Sequence, residues 1–137
     1  MATNTAGGEG RELGFQAVHY MRRTVNWNTT GIRTANTVKL GTLPAGAQIL
    51  QNMRVTKVAF DGTGPTLSVG TDSDNNNIDV GGEEATTSAV ISTVATFLSF
   101  TQDTDVYILL DESTTTPSTE GQAVIVLSFV PDNDIQD

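Results

Sequence analysis

The run "QILQNMRVTKVAF", Gln48 to Phe60, constrains the chain most, because it alternates with the two-residue period of a β-strand. Arg54, Thr56, Val58 and Phe60 fall on one face, and Met53, Val55, Lys57 and Ala59 on the other. Asp61-Gly62 is a strong turn dipeptide, and Pro65 closes the connection before the next strand, "TLSVG". The same grammar recurs along the chain. "GFQAVHYMRRTVNW" reads as a strand in which Phe15, Ala17, His19 and Met21 alternate with Gln16, Val18, Tyr20 and Arg22. Neither set is purely polar, so partial cover on both faces is expected. "NTTGIRTAN" is a turn-rich connection. "TVKLGTL" is a short strand stopped at Pro44-Ala45-Gly46, a tight turn in which Gly supplies a positive φ.

Farther on, a polar loop from Thr71 to Asn77 precedes "IDV" and Gly81-Gly82. "AVISTVATFLSF" is one strand or two, with helix open for part of it. "DVYILL" and "QAVIVLSFV" are continuous apolar strands, expected at sheet centres, and "DESTTTPSTEG" turns the chain between them. Residues 1–12 are small, polar and Gly-rich, which predicts a flexible arm, and "PDNDIQD" (residues 132–137 beyond its Pro) predicts a loose tail. Residues 13–131 then form a single β domain. No window shows helical periodicity, and the mixture of Thr, Val, Gly and Asn suits strands joined by turns. The expected fold is all-β: an antiparallel β-sandwich or jelly roll of about eight short strands.

Composition excludes several functions. The chain has no cysteine, hence no disulfide framework, thiolate metal site or Cys nucleophile. "MATNTAGGEGRELG" lacks a basic segment followed by an apolar one, so no secretory signal is expected. No apolar run approaches the ~20 residues that span a bilayer, so no membrane partner is expected. A net charge of -9 argues against nucleic acid as a partner. The charges are also segregated. Residues 1–57 hold all seven basic residues against Glu9 and Glu12, a balance of +5, while the rest of the chain holds fourteen acids and no base. Either basic strands pair with acidic ones inside one domain, or a basic face docks while an acidic face meets solvent.

No catalytic pattern emerges, and no enzyme is expected. The single histidine, His19, lies in a strand with no Gly-flanked Ser near it, so a structural hydrogen-bonding role outweighs a triad base. Neither phosphate-loop nor dinucleotide glycine pattern follows a strand. "DSDNNNIDVGGE" does place Asp72, Asp74 and Asn76 at positions 1, 3 and 5 and Glu83 at position 12, the oxygen-ligand spacing of a calcium loop. Asn77 stands where such loops carry Gly, Asp79 stands where they carry an apolar residue, and strands flank the run in place of helices. The reading is a solvated acidic hairpin tip, or a structural calcium. Trp27 in "NWNTTG" is a sugar-stacking platform or a plug of the core or of a subunit contact. Asn28-Thr29-Thr30 matches a glycosylation acceptor, a pattern common by chance.

The segment "LPAGAQILQNMRVTKVAFDGTGPTLSVGT" resembles one found in small head structural proteins of tailed bacteriophages. There, "LPAGA" precedes a Val-rich strand, "AFDG" turns the chain and "LSVGT" follows. The closing "GQAVIVLSFVP" is similar to their last strand. The resemblance implies a capsid decoration (cement) protein or a base for a head fibre, with a sandwich or jelly-roll fold. It implies a homotrimer on the capsid exterior with the major capsid protein as partner. Arg11, Arg22 and Arg23 are the candidate capsid contacts, with the arm ordering against the capsid. The alternatives are a glycan-binding module using Trp27, and a tail or neck component.

Overall fold

A computed structural model describes residues 18–93 and 100–131. The arm, the tail, Arg11 and the middle of "AVISTVATFLSF" lie outside the described residues, as do Phe15 and Ala17. Among the described residues there is no helix. Seven strands form: β1 (His19–Asn26), β2 (Val38–Leu43), β3 (Gln48–Val58), β4 (Thr66–Gly70), β5 (Ser88–Thr93), β6 (Thr104–Asp111) and β7 (Gln122–Val130). One sheet has the order β1-β7-β3-β5 and the other β2-β6-β4, with every pairing antiparallel.

The chain wraps as a jelly roll does: first strand beside last, second beside second-last. The expectation of about eight short strands is met by seven among the described residues and one partly formed segment. Residues around "IDV" run along β4 but make only two isolated bridges, Val69 with Asp79 and Thr66 with Glu83. Gly81 between them has φ 87 and presses on the Leu67 carbonyl, which breaks the ladder. This bridged segment stands where a fourth strand of the second sheet would be.

The two longest apolar runs sit inside the sheets, as their composition predicts. β6 is central in the second sheet, and β7 lies between β1 and β3 in the first. Their inward residues, Val106, Ile108 and Leu110 from one and Ala123, Ile125 and Leu127 from the other, meet across the sandwich with Val25, Leu43, Leu67 and Val69. Phe60 and Ile32 plug one end. The Pro44-Ala45-Gly46 turn forms as read, with Gly46 at φ 80 and the Ala47 N–H donating to the Pro44 carbonyl at 3.1 Å.

Asp61 does more than turn the chain. Its carboxylate accepts from the Thr119 N–H (2.6 Å), the Thr119 hydroxyl (2.7 Å) and the Glu120 N–H (3.0 Å), tying two loops together. The Thr119 side chain and backbone together hold the Asp61 carboxyl below its ordinary 3.8.

Alternation in β3 is real but interrupted. Register shifts fall between Ile49 and Gln51 and between Thr56 and Val58, so Ile49 and then Asn52, Arg54 and Thr56 face the interior. Val58, expected beside Arg54 and Thr56, is exposed instead. Three polar side chains in a row therefore point into an apolar sandwich. They are met by Asp79 and Glu84 from the bridged segment. Arg54 Nε donates to Glu84 at 2.9 Å, its Nη1 pairs with Asp79, Asn52 Nδ2 donates to Asp79 at 2.7 Å, and the Thr56 hydroxyl donates to Glu84. All five residues are buried.

Candidate interaction surface

The pleat assigns each outward residue. Because Leu127, Ile125 and Ala123 of β7 face the core, Val126 and Val124 face out, and the register carries this phase across the sheet. One outward row reads Arg22, Val126, Met53, Ile91, and the next Thr24, Val124, Val55, Ala89. A third reads Tyr20, Ser128, Gln51. The centre of this outer face is thus aliphatic, with Tyr20 (68% exposed) and Ile91 (58%) open to solvent. None of the four strands contains an Asp or Glu, in a chain that carries sixteen.

Chemistry reverses on the opposite side. Outward positions of β6 hold Asp105, Tyr107, Leu109 and Asp111, beside Lys39 and Thr42 of β2. Asp105 accepts from Lys39 at 2.9 Å and from Thr42 at 2.7 Å, and these bonds hold its carboxyl below the usual 3.8. Asp72, Asp103 and Asp105 line one polar hollow of about 320 Å³. The sandwich therefore has an apolar face without carboxylates and a face rich in them.

Of the two charge readings, the pairing of basic with acidic strands is the one that forms. Basic residues of the first half do pair with acids of the second: Arg33 with Glu112, Lys39 with Asp105, and Arg54 with Asp79 and Glu84. Among the described residues no separate basic face results. Arg22 stands exposed at the edge row of the apolar face, while Arg23 points the other way and donates to the Lys39 carbonyl at 2.7 Å. Arg11 lies outside the described residues.

The loop read for calcium folds on itself. Asp74 accepts from the Asn76 N–H at 3.2 Å, Asn75 reaches the Thr71 carbonyl at 2.7 Å, and Asn77 holds the Thr71 hydroxyl at 3.0 Å. Asp72, Asp74 and Asn76 point to solvent, and Glu83 sits apart, bridged to Thr66. The ligand spacing is present without the convergence: among the described residues no three His, Asp or Glu gather to hold a metal ion.

Trp27 lines a pocket of about 480 Å³ with Leu110, Pro117 and the polar groups of Arg33, Glu112 and Ser118. Those polar groups bond one another. Glu112 accepts from Arg33 Nε at 2.7 Å and from Ser118 N–H and hydroxyl at 3.0 and 2.5 Å, and Arg33 also donates to the Trp27 carbonyl at 2.9 Å. Burial pushes the Glu112 carboxyl up, but the Ser118 and Arg33 bonds outweigh it and set it below 4.5. Its folded pKa is depressed, so its stabilisation is complete above the unfolded-chain value and is lost as pH falls through the folded one. Glu112→Gln should therefore flatten the loss of stability on acidification below about pH 4.5, measured by urea unfolding at stepped pH.

No protein-family model and no curated protein matches the chain. Solved structures do. A chain of the capsid asymmetric unit of cyanophage Pam1 superposes with a TM-score of 0.67 at 23% identity, covering 95% of this chain and 98% of that one. A chain of the acid-stable capsid of Helicobacter pylori bacteriophage KHP30 gives 0.57 at 15% identity, covering 85% and 90%. A chain of the capsid of Ralstonia phage GP4 gives 0.57 at 16% identity, covering 84% of each. At these identities the likeness defines a shared jelly-roll sandwich across nearly the whole chain.

Proposed function

We propose that the chain is a structural protein of a bacteriophage virion, a decoration or cement protein that binds the head lattice as a homotrimer. The observation that carries this reading is the aliphatic, carboxylate-free outer face of β1-β7-β3-β5 in a protein of net charge -9. Such a face fits burial against a partner, and the acidic face opposite suits the exterior of a particle. The fold it shares with chains of three phage capsids supports the same reading. Arg22 at the end of the aliphatic row adds a cation for an acidic group of the major capsid protein.

The test is co-sedimentation with heads assembled from the phage's major capsid protein. Val126→Glu places a carboxylate in the middle of the face and should weaken binding by about 100-fold or more, since a buried unpaired charge is worth several kcal/mol. Tyr107→Glu, on the opposite face, should leave it unchanged. Equal binding by both variants would overturn the docking face, and loss only on deletion of residues 1–12 would move the contact to the arm. Light scattering of the free protein reads the trimer directly.

The Trp27 pocket supports a second reading, a glycan site. Its polar groups bond one another, so sugar recognition there would rest on the indole face. Trp27→Ala abolishing retention on a glycan array would favour it.

A further inference from the structure

Of the thirteen glycines in the chain, Gly62 alone follows an Asp or Asn. Asp-Gly is the dipeptide at which a backbone most readily attacks its own side chain, because glycine puts no β-carbon in the way of the ring that forms. The fold demands both members. Asp61 makes the three bonds to Thr119 and Glu120, and a β-carbon on Gly62 would lie 2.7 Å from both the nitrogen and the hydroxyl oxygen of Ser118.

The same contacts oppose the reaction. The nucleophile would be the Gly62 nitrogen, and its N–H donates to the Ser118 hydroxyl oxygen at 3.0 Å. Ser118 is itself fixed, 2% exposed and donating its hydroxyl to Glu112 at 2.5 Å. Both Asp61 oxygens are held by the facing loop, Oδ1 by the Thr119 and Glu120 N–H groups and Oδ2 by the Thr119 hydroxyl, so Cγ is kept from turning onto that nitrogen. The bonds from Thr119 also keep the carboxyl ionised below its ordinary 3.8, and a carboxylate is a poor acceptor of a nucleophile. Thr63 N–H on the Thr116 carbonyl at 3.1 Å and Ser113 N–H on the Thr63 carbonyl at 3.0 Å close the two loops further.

We infer that Asp61-Gly62 is a covalent modification site, an aspartate that isomerises to isoaspartate when the loop from Ser118 to Glu120 lifts away. The step balances with water alone. The Gly62 nitrogen attacks Asp61 Cγ and an N–Cγ bond forms; the amide proton and the carboxyl hydroxyl leave as water, giving a five-membered succinimide. Water then opens the ring. Breaking the N–Cγ bond restores aspartate, while breaking the bond from the nitrogen to the Asp61 backbone carbonyl carbon routes the main chain through Cγ. That second product has one more main-chain carbon and a carboxylate one carbon closer to the main chain, so the three bonds to Thr119 and Glu120 do not re-form in register. Opening of the loop is thereby recorded covalently. It also reshapes the Trp27 pocket, which Glu112, Ser118 and Thr119 line. The inference stands whichever functional reading does.

The test follows isoaspartate at position 61 in purified protein incubated warm at mildly acidic pH, read by a protease that cuts before aspartate and fails at isoaspartate. The urea-unfolded chain should isomerise at least about tenfold faster than the folded one, since reaction of the folded protein waits on local opening. Thr119→Ala removes one bond to Asp61 and Ser118→Ala removes the acceptor of the Gly62 N–H; each should speed the folded protein about three- to tenfold. Ile49→Val, in the core at the other end of the sandwich, should leave the rate unchanged. Urea unfolding of each variant confirms that it is folded during the incubation. A folded rate equal to the unfolded one, folded loop variants no faster than wild type, or an equal acceleration by Ile49→Val would overturn the inference.

Discussion

Arg54→Met is expected to destabilise the protein by about 3–5 kcal/mol, a large share of the 5–15 kcal/mol typical of a domain. The reason is the company Arg54 keeps. Asp79 and Glu84 are 4% and 1% exposed, and the guanidinium is the cation that meets both. Removing it leaves two carboxylates in an apolar sandwich. Part of the remaining network also fails, because Asn52 has its amide on Asp79 and its buried Oδ1 has no protein partner. Loss of the clamp should free the segment from Ile78 to Glu84, seen as faster hydrogen exchange there than in β7. Arg54→Met combined with Asp79→Asn and Glu84→Gln should recover about 2 kcal/mol, since neutral amides need no counter-charge. A urea midpoint for Arg54→Met equal to wild type would show that the buried triad does not hold the segment.

Gly121→Ala should be nearly as damaging. Gly121 opens β7 at φ 146, a conformation that side chains rarely adopt. A β-carbon there would lie 2.5 Å from Cγ and 2.8 Å from Cε2 of Phe60, which is itself 1% exposed. Neither partner can retreat. The Gly121 carbonyl accepts from the Trp27 N–H at 3.1 Å, and the Phe60 N–H donates to the Glu84 carbonyl at 3.0 Å. Backbone strain and overpacking each cost about 1–3 kcal/mol, which predicts a fall in Tm of roughly 10–20 °C. Phe60→Leu in the same chain should restore part of it by removing the ring. A Tm within a few degrees of wild type would mean that the ring and the turn do not meet as described.

The two residues differ in how far they could be read from sequence. Gly121 ends a turn-rich run before a continuous apolar strand, and that local pattern marks it as a turn residue. Its contact with Phe60, sixty-one positions away by numbering, leaves no local trace. Arg54 belongs to the clearest alternation in the chain, on the face that is in fact buried. Its partners lie 25 and 30 residues away, one within the run whose acidic spacing suggests a metal and one just past its end. Asp79, which breaks that calcium pattern at position 8, is the residue that matters most in it: it serves an arginine. The outer face of the first sheet was half visible. β7 reads as apolar on both faces, which signals cover on both sides, but the rows through Met53, Val126 and Ile91 exist only once the registers are known.

By itself, the sequence determined the elements: strands where residues alternate or run apolar, turns at Asp61-Gly62 and Pro44-Ala45-Gly46, and β6 and β7 at the sheet centres. These follow from short-range rules, because period and turn chemistry act over a few residues. It also set the imbalance of charge between the halves of the chain. Tertiary structure alone decided how that imbalance is resolved, through Arg33–Glu112, Lys39–Asp105 and the Arg54 triad, and which faces remain. Register shifts in β3 change which side of the strand is buried, and the wrapped topology brings distant strands into one sheet. Charge pairing and surface composition depend on those long-range contacts, and no local pattern encodes them.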